Sequence, residues 1–204
     1  MKIVLTTDRA ELERLYRFRY EVYVEQLRWL PANDDRMLED EYDEFSYNYS
    51  AIEDGEIVGS IRVVPDNPGG LPFERCSPMN GYREGRRVVE LCRLAVHPDY
   101  RGRRGGLLMK AGYQRADLLG ATHIALDAYI GEGSQIELYA KMGYEPIGEP
   151  FHDPDWLCRM PEQVFVIDLV NAAKDWPTQR PGLNRFFTAP DPNIDHGPDL
   201  PDSD

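Results

Sequence analysis

The sequence predicts a single mixed α/β domain. Short apolar strands alternate with amphipathic helices, one pair of strands reads as a hairpin, and one long apolar segment reads as a central strand. The chain has 204 residues, 42% of them apolar and 29% charged. That is enough for one domain with its own core and short for two. The domain is expected over residues 1–188. Residues 189–204 hold four Pro and five Asp, so they are expected to form a disordered acidic tail.

The elements follow in order. Lys2-Ile-Val-Leu-Thr6 is a short first strand. Asp8 can cap a helix, with Glu11 completing the capping-box pattern. Leu12, Leu15, Tyr16, Arg19 and Tyr23 then keep helical spacing. Arg19 therefore lies on or beside the apolar stripe, where an unpaired charge is costly and an acidic partner is required. Residues 48–65 read as two strands around Glu53-Asp54-Gly55-Glu56, and Asp-Gly suits a type I′ turn. A Pro/Gly-rich loop covers roughly residues 65–82. RRVVELCRLAV, residues 86–96, is nearly continuous in apolar character and reads as central. A loop with three arginines precedes a helix over residues 107–120, closed by Gly120. THIALDAYI is a strand, SQIELYAKMG a helix closed by Gly143, and YEPIGEP and EQVFVIDLV complete the sheet.

Charge narrows the partners. The formal net charge is −13, with −6 in residues 31–45 and −5 in residues 189–204. Residues 82–104 instead hold seven Arg against Glu84, Glu90 and Asp99. Nucleic acid is excluded as an expected partner, since binding it needs a positive overall footprint. A small phosphorylated ligand or a small acidic carrier protein fits a local basic patch. No run of about 18 apolar residues is present, so no membrane-spanning helix is expected. The opening MKIVLTTDRAELERL carries acids and too short an apolar stretch for a secretory signal. Cys76, Cys92 and Cys158 show no CxxC spacing. Reduced thiols and a cytoplasmic location are the expectation. No metal site is expected: His123, His152 and His196 lack ligand spacing. His97 reads as a turn residue and Cys92 as a small core residue.

The stretch Leu94-Ala-Val-His-Pro-Asp-Tyr-Arg101-Gly-Arg-Arg104-Gly105-Gly106-Leu107 runs strand, basic Gly-rich loop, helix. Backbone N–H groups at a helix start and the helix dipole bind anions. Arg101, Arg103 and Arg104 add bidentate donors, and Gly105 and Gly106 allow close backbone approach. A surface turn with solvated arginines is the plainer reading of such a loop taken alone. With its flanks, the segment resembles the acyl-carrier motif of the GNAT acyltransferase superfamily, R-x-x-G-x-G/A. Arg101 and Gly106 match the outer positions, while Arg104 stands in the place of the first Gly. The resemblance implies a central, mostly antiparallel mixed sheet, splayed at the acyl-carrier site and flanked by helices. It also implies that Leu94 to Val96 offer backbone N–H groups to the thioester carbonyl. Residues 138–147, LYAKMGYEPI, are similar to the superfamily's closing motif, in which Tyr139 protonates the departing thiolate. A core tyrosine is the alternative, because a thiol of pKa near ~8.5 leaves with little help.

A second pattern lies in the front half. Arg19-x3-Tyr23-x5-Trp29-x10-Asp40-x2-Asp43, then Arg62, then Glu90-x2-Arg93, resembles the acyl-homoserine-lactone synthases and the long-chain N-acyl amino acid synthases. The wording FRYEVYVEQLRW and the acidic EDEYD carry it. Together the two resemblances cover roughly residues 10–150. They imply substrate binding by Arg19, Tyr23, Trp29, Asp40, Asp43 and Arg62, and catalytic placement of Glu90 and Arg93. For Arg19, Asp40 and Asp43 the alternative is an ion-pair network that fixes the helices. Residues three apart on a strand face opposite sides, so Glu90 and Arg93 both face a cleft only across a bulge. The superfamily resemblance implies such a bulge.

The expected activity is transfer of a long-chain acyl group from acyl carrier protein or acyl-CoA to the amine of an amino acid or similar small molecule. Acyl-phosphopantetheine or acyl-CoA is a co-substrate, and no cofactor is expected to stay bound. The single phosphate of acyl carrier protein accommodates Arg104, and the arginines of residues 83–104 suit an acidic carrier. Three other readings are an acyl-homoserine-lactone synthase using S-adenosylmethionine, an acetyl-CoA N-acetyltransferase, and an inactive acyl-ligand sensor. The absence of a nucleophile elbow favours direct attack of the amine on the thioester.

Overall fold

The computed structural model describes residues 1–79, 81–100, 103–131, 135–158 and 160–198, with the backbone alone for 103 and 104. Eight strands form one sheet: β1 (Lys2–Leu5), β2 (Tyr47–Glu53), β3 (Glu56–Val64), β4 (Val88–Val96), β5 (His123–Tyr129), β6 (Glu145–Phe151), β7 (Glu162–Asp168) and β8 (Ile194–Asp195). Their order is β6-β7-β5-β4-β3-β2-β1-β8. β4–β5 and β1–β8 are parallel and the other pairs antiparallel, so the mixed, mostly antiparallel sheet is the expected one. The helices are α1 (Arg9–Tyr20), α2 (Arg103–Leu118), α3 (Ile136–Met142), α4 (Leu169–Gln179) and α5 (Pro181–Thr188). Among the described residues no helix is long and apolar enough to cross a membrane.

Local chemistry explains the boundaries. Asp8 accepts hydrogen bonds from the amides of Ala10 and Glu11 and opens α1. Asp54 and Gly55 both have positive φ, 54° and 86°, as the tight turn between β2 and β3 requires. Gly143 closes α3 with φ 94°, and the Gly143 and Tyr144 amides return to the carbonyls of Ala140 and Tyr139. The α-helical pattern predicted through Tyr23 instead changes at Tyr20 to six residues of π-helix, Glu21–Gln26. Val22, Tyr23 and Val24 of this segment are all buried.

Two faces of the sheet divide the core. On the back, Leu108 and Ala111 of α2 pack on Ile61, Val89, Leu91, Ile124 and Leu126, joined by Trp176 of α4 and Phe187 of α5. On the front, Leu71, Phe73 and Met79 from the loop after β3 cover Val88, Ala125, Val164 and Val166. A third cluster, Leu15, Phe18, Tyr23 and Leu30, seats α1 near Ala95.

Two expectations are corrected. EQVFVIDLV was expected to be strand throughout, but β7 stops at Asp168, whose carboxylate accepts from the Asn171 amide and starts α4. The disordered tail does not begin at 189. Residue Ile194 pairs with Ile3 and Asp195 with Val4. The His196 ring bonds the Tyr49 hydroxyl at 2.8 Å and Gln114 Oε1 at 3.1 Å. Buried polar groups on β2 and α2 need partners, and this segment supplies them. Residues 199–204 lie outside the described residues.

Candidate active site

β4 and β5 are paired over three positions only, Val88–His123, Val89–Ile124 and Glu90–Ala125. Beyond these the two strands part. The backbone of β4 from Leu91 onward has no strand on that side. A cleft of about 780 Å³ runs through the opening. Its back half is apolar, lined by Leu91, Met109, Leu126, Leu138, Met142 and Phe187. Its front half is polar and aromatic, with Trp29, Arg62, Glu90, Arg93, Asp127, Trp156 and Glu162.

A bulge shapes the β4 wall. The β3–β4 register passes from Ser60–Ala95 to Arg62–Cys92, so β4 carries one extra residue there. Arg93 takes the strain with φ 53°, a left-handed conformation uncommon for a side chain other than Gly or Asn. Three contacts hold it. The Ser60 hydroxyl donates to the Arg93 carbonyl at 2.9 Å, the Tyr23 hydroxyl donates to the Leu94 carbonyl at 3.0 Å, and Arg93 donates to Asp40 at 2.9 Å. Glu90 and Arg93 thus both line the cleft, across the bulge that the superfamily resemblance implied. Leu94 and Val96 line it as well, with Gly105 and Gly106 of the first α2 turn beside them. Added Cβ atoms on these glycines would only touch Val96 at 3.9 Å and Phe186 at 3.7 Å. Arg101 lies outside the described residues, as do the side chains of Arg103 and Arg104.

Behind this wall lies an alternating chain of charges. Arg19 donates to Asp43 at 2.8 Å and to Asn48 at 2.5 Å. Arg62 lies 3.0 Å from Asp43 and 2.5 Å from Asp40, and Asp40 reaches Arg93. The side chains of Arg19 and Asp43 are 0% and 2% exposed. Burial alone would push the Asp40 and Asp43 carboxyls up. Arg62 and Arg93 outweigh it at Asp40, and Arg19 and Arg62 at Asp43, so both are held below the usual carboxylate range. Arg19, Asp40 and Asp43 do not line the cleft, whereas Tyr23, Trp29 and Arg62 do. Asp40 and Asp43 instead pair with Arg62, and Asp40 with Arg93, and both of these arginines line the cleft.

The acids and the tyrosine have distinct environments. Glu90 is 1% exposed and accepts from the Phe73 amide at 3.3 Å. Burial, with Asp127 nearby, raises its carboxyl well above the ordinary range. Tyr139 lines the cleft, and burial with Asp127 pushes its phenol up to about 12. The arginines at 83–87 are not at the cleft. Arg83 pairs with Asp66 and Glu74, Arg86 stacks 4.5 Å over Tyr82, and Arg87 donates to the Leu119 carbonyl at the far end of α2. Sequence reasoning missed Asp127, Trp156 and Glu162. The signal for Asp127 was a charged residue inside a largely apolar strand, whereas Glu162 stands at the start of β7 beside Gln163 and gave no such signal.

Comparisons with known proteins accord with this geometry. The family model described as N-acyl amino acid synthase FeeM matches residues 14–158. An acyl-homoserine-lactone synthase from Vibrio anguillarum is 30% identical over 107 residues, 50% of this chain and 55% of that protein, so the match spans about half the relative's length. The solved structure of FeeM, from uncultured soil microbes, aligns with TM-score 0.65 at 14% identity over 82% of this chain and 90% of that one. BjaI, a CoA-dependent acyl-homoserine lactone synthase solved with SAM and isopentyl-CoA, aligns with TM-score 0.67 at 20% identity over 98% and 95%. A structure described as a putative N-acetyltransferase, from Lactobacillus plantarum, aligns with TM-score 0.59 at 19% identity over 82% and 97%. At these identities the structures establish the fold.

Proposed function

This chain belongs to the N-acyl amino acid synthase FeeM family, and we propose that it moves a long-chain acyl group from a pantetheine thioester to the amine of an amino acid. The observation that carries the reading is the parting of β4 and β5 after three pairs, with the bulge at its edge and a cleft running through the gap. A pantetheine arm is an extended amide chain and suits an open strand edge. Its phosphate end is directed to the start of α2 at Gly105 and Gly106, where amides and the helix dipole favour an anion. The apolar back half takes the acyl chain and the polar front half takes the acceptor.

In this reading the ammonium first loses a proton to water, and the neutral amine attacks the thioester carbonyl directly, its second proton passing to water as the C–N bond forms. The N–H groups of Leu94 to Val96 face the carbonyl oxygen as it gains charge. The C–N bond forms, the C–S bond breaks, and the thiolate leaves with the electron pair. A thiolate whose acid has pKa near ~8.5 is a competent leaving group. A Tyr139 phenol near 12 is a weaker acid than the thiol it would protonate, so the thiolate departs unprotonated and equilibrates with solvent, which carries the proton the amine released. Glu90 orders water at the front of the cleft. Arg93 is placed by Asp40 to meet an acceptor carboxylate.

Acyl carrier protein is the proposed donor, because its single phosphate accommodates Arg104. The test is thiol release from matched acyl carrier protein and acyl-CoA donors. Faster turnover of the carrier-bound donor is expected, and much faster turnover of acyl-CoA would overturn the choice. The 30% match to an acyl-homoserine-lactone synthase supports a second reading, with S-adenosylmethionine as acceptor. Release of methylthioadenosine alongside the thiol would decide for it.

A further inference from the structure

The front half of the cleft holds an acid pair that the steps above leave unused. Asp127 on β5 stands opposite Val164, and Tyr129 opposite Glu162, so Asp127 and Glu162 are diagonal neighbours on one face of the sheet. Asp127 lies two residues past Ala125, the last β5 residue paired with β4. The pair thus sits at the throat where the strands part. Both acids line the cleft.

Glu162 is 3% exposed, and its Oε1 has no hydrogen-bond partner. Buried carboxylate oxygens are ordinarily satisfied. Asp40 and Asp43 show the usual arrangement, each facing two arginines. Asp153, a third acid at this end, is already 3.5 Å from Arg75. Burial and the neighbouring Asp127 push the Glu162 carboxyl up. A proton held between two acids is what such a site keeps until a cation replaces it.

The walls beside the pair are aromatic. Trp29 and Tyr129 have ring centroids 4.9 Å apart, and Trp156 lies 6.0 Å from Trp29 and 5.9 Å from Tyr129. Ring faces attract cations and exclude water. We propose that Asp127 and Glu162 seat the ammonium group of the acceptor, with Trp29, Tyr129 and Trp156 enclosing its apolar body. This rests on the acyl-transfer reading and deepens it, assigning the acceptor to primary amines that arrive as cations with an apolar or aromatic side chain.

Binding read from tryptophan fluorescence tests it without turnover, using L-phenylalanine methyl ester and its deaminated counterpart, methyl 3-phenylpropionate. The wild-type protein is expected to bind the ammonium ester at least about tenfold more tightly, the scale of one hydrogen-bonded charge. In E162Q and D127N that preference is expected to fall to within about threefold. Equal affinity for the two esters in the wild-type protein would overturn the proposal, even if neither variant folds. So would an unchanged preference in both folded variants. Failure of every acyl donor to react would sink the proposed function instead, and the binding ratio would still decide the ammonium site.

Discussion

Replacing Asp43 with Asn tests whether the charge chain behind the cleft is structural. Asp43 faces Arg19 at 2.8 Å and Arg62 at 3.0 Å, and its Oδ2 also accepts from the Asp40 amide. At an effective dielectric of about 20, each contact is worth roughly 6 kcal/mol of Coulomb energy before desolvation. Arg62 keeps Asp40 in the variant, but Arg19, fully buried, keeps only the neutral Asn48. An uncompensated buried charge costs about 3–5 kcal/mol. That is a large share of a total stability of about 5–15 kcal/mol. Urea unfolding is the assay. With a slope of roughly 2–3 kcal/mol/M, D43N should shift the midpoint down by about 1–2.5 M. The pH dependence adds a signature. The Asp43 carboxyl is lowered in the folded state, so its contribution is complete above the unfolded value near ~3.9 and is lost as pH falls through the folded one. D43N should lose less stability than wild type on acidification. A destabilisation under about 1 kcal/mol, with loss of acceptor affinity, would refute the positioning role and make Asp43 a substrate contact.

Other outcomes follow from the same site. Burial raises the Glu90 carboxyl well above its ordinary range, and its proposed role is to order water, so E90Q should lower kcat by less than about a hundredfold, the low end of general acid–base effects. A loss beyond about a hundredfold would mean that Glu90 ionises in the working enzyme. The Tyr139 phenol near 12 is too weak an acid to serve a thiolate, so Y139F should change kcat by less than about threefold. Truncation after Thr188 removes the β8 pairing and both His196 ring bonds. At about 1 kcal/mol per bond it should cost about 3 kcal/mol or more in thermal unfolding, whereas a dispensable tail predicts no change. Burial, with Arg115 beside it, lowers the His196 pKa. Its contribution is therefore present above the ordinary value near ~6.5 and lost below it.

Where the chemistry is local, the sequence carries it. The Asp54-Gly55 turn, the Gly143 cap and the nearly unbroken apolar run of β4 could each be read within a few residues. The bulge at Arg93 came from the superfamily resemblance, since a spacing of three alone puts Glu90 and Arg93 on opposite strand faces. What was not legible depends on distant partners. Nothing near Asp127 announces that Glu162, from a strand far along the chain, will lie diagonal to it. Pro177 and Pro181 interrupt the segment after β7, yet Pro181 starts α5 and Pro177 is carried within α4. The Pro/Asp-rich tail has the composition of disorder, but its His196 completes hydrogen bonds for Tyr49 and Gln114. In the front-half pattern the need of a stripe-side Arg19 for an acidic partner could be read, but not which acid would supply it: Asp43 does, and the matched pair is fully buried.

The most direct test of acyl transfer is mass spectrometry of the products formed by the purified chain. The donors are medium- to long-chain acyl groups on acyl carrier protein and on coenzyme A, offered with a mixture of amino acids and S-adenosylmethionine. The account predicts an N-acyl amide formed in equal amount to the released thiol. Thiol release with free fatty acid and no amide, or no reaction with any donor, would contradict it.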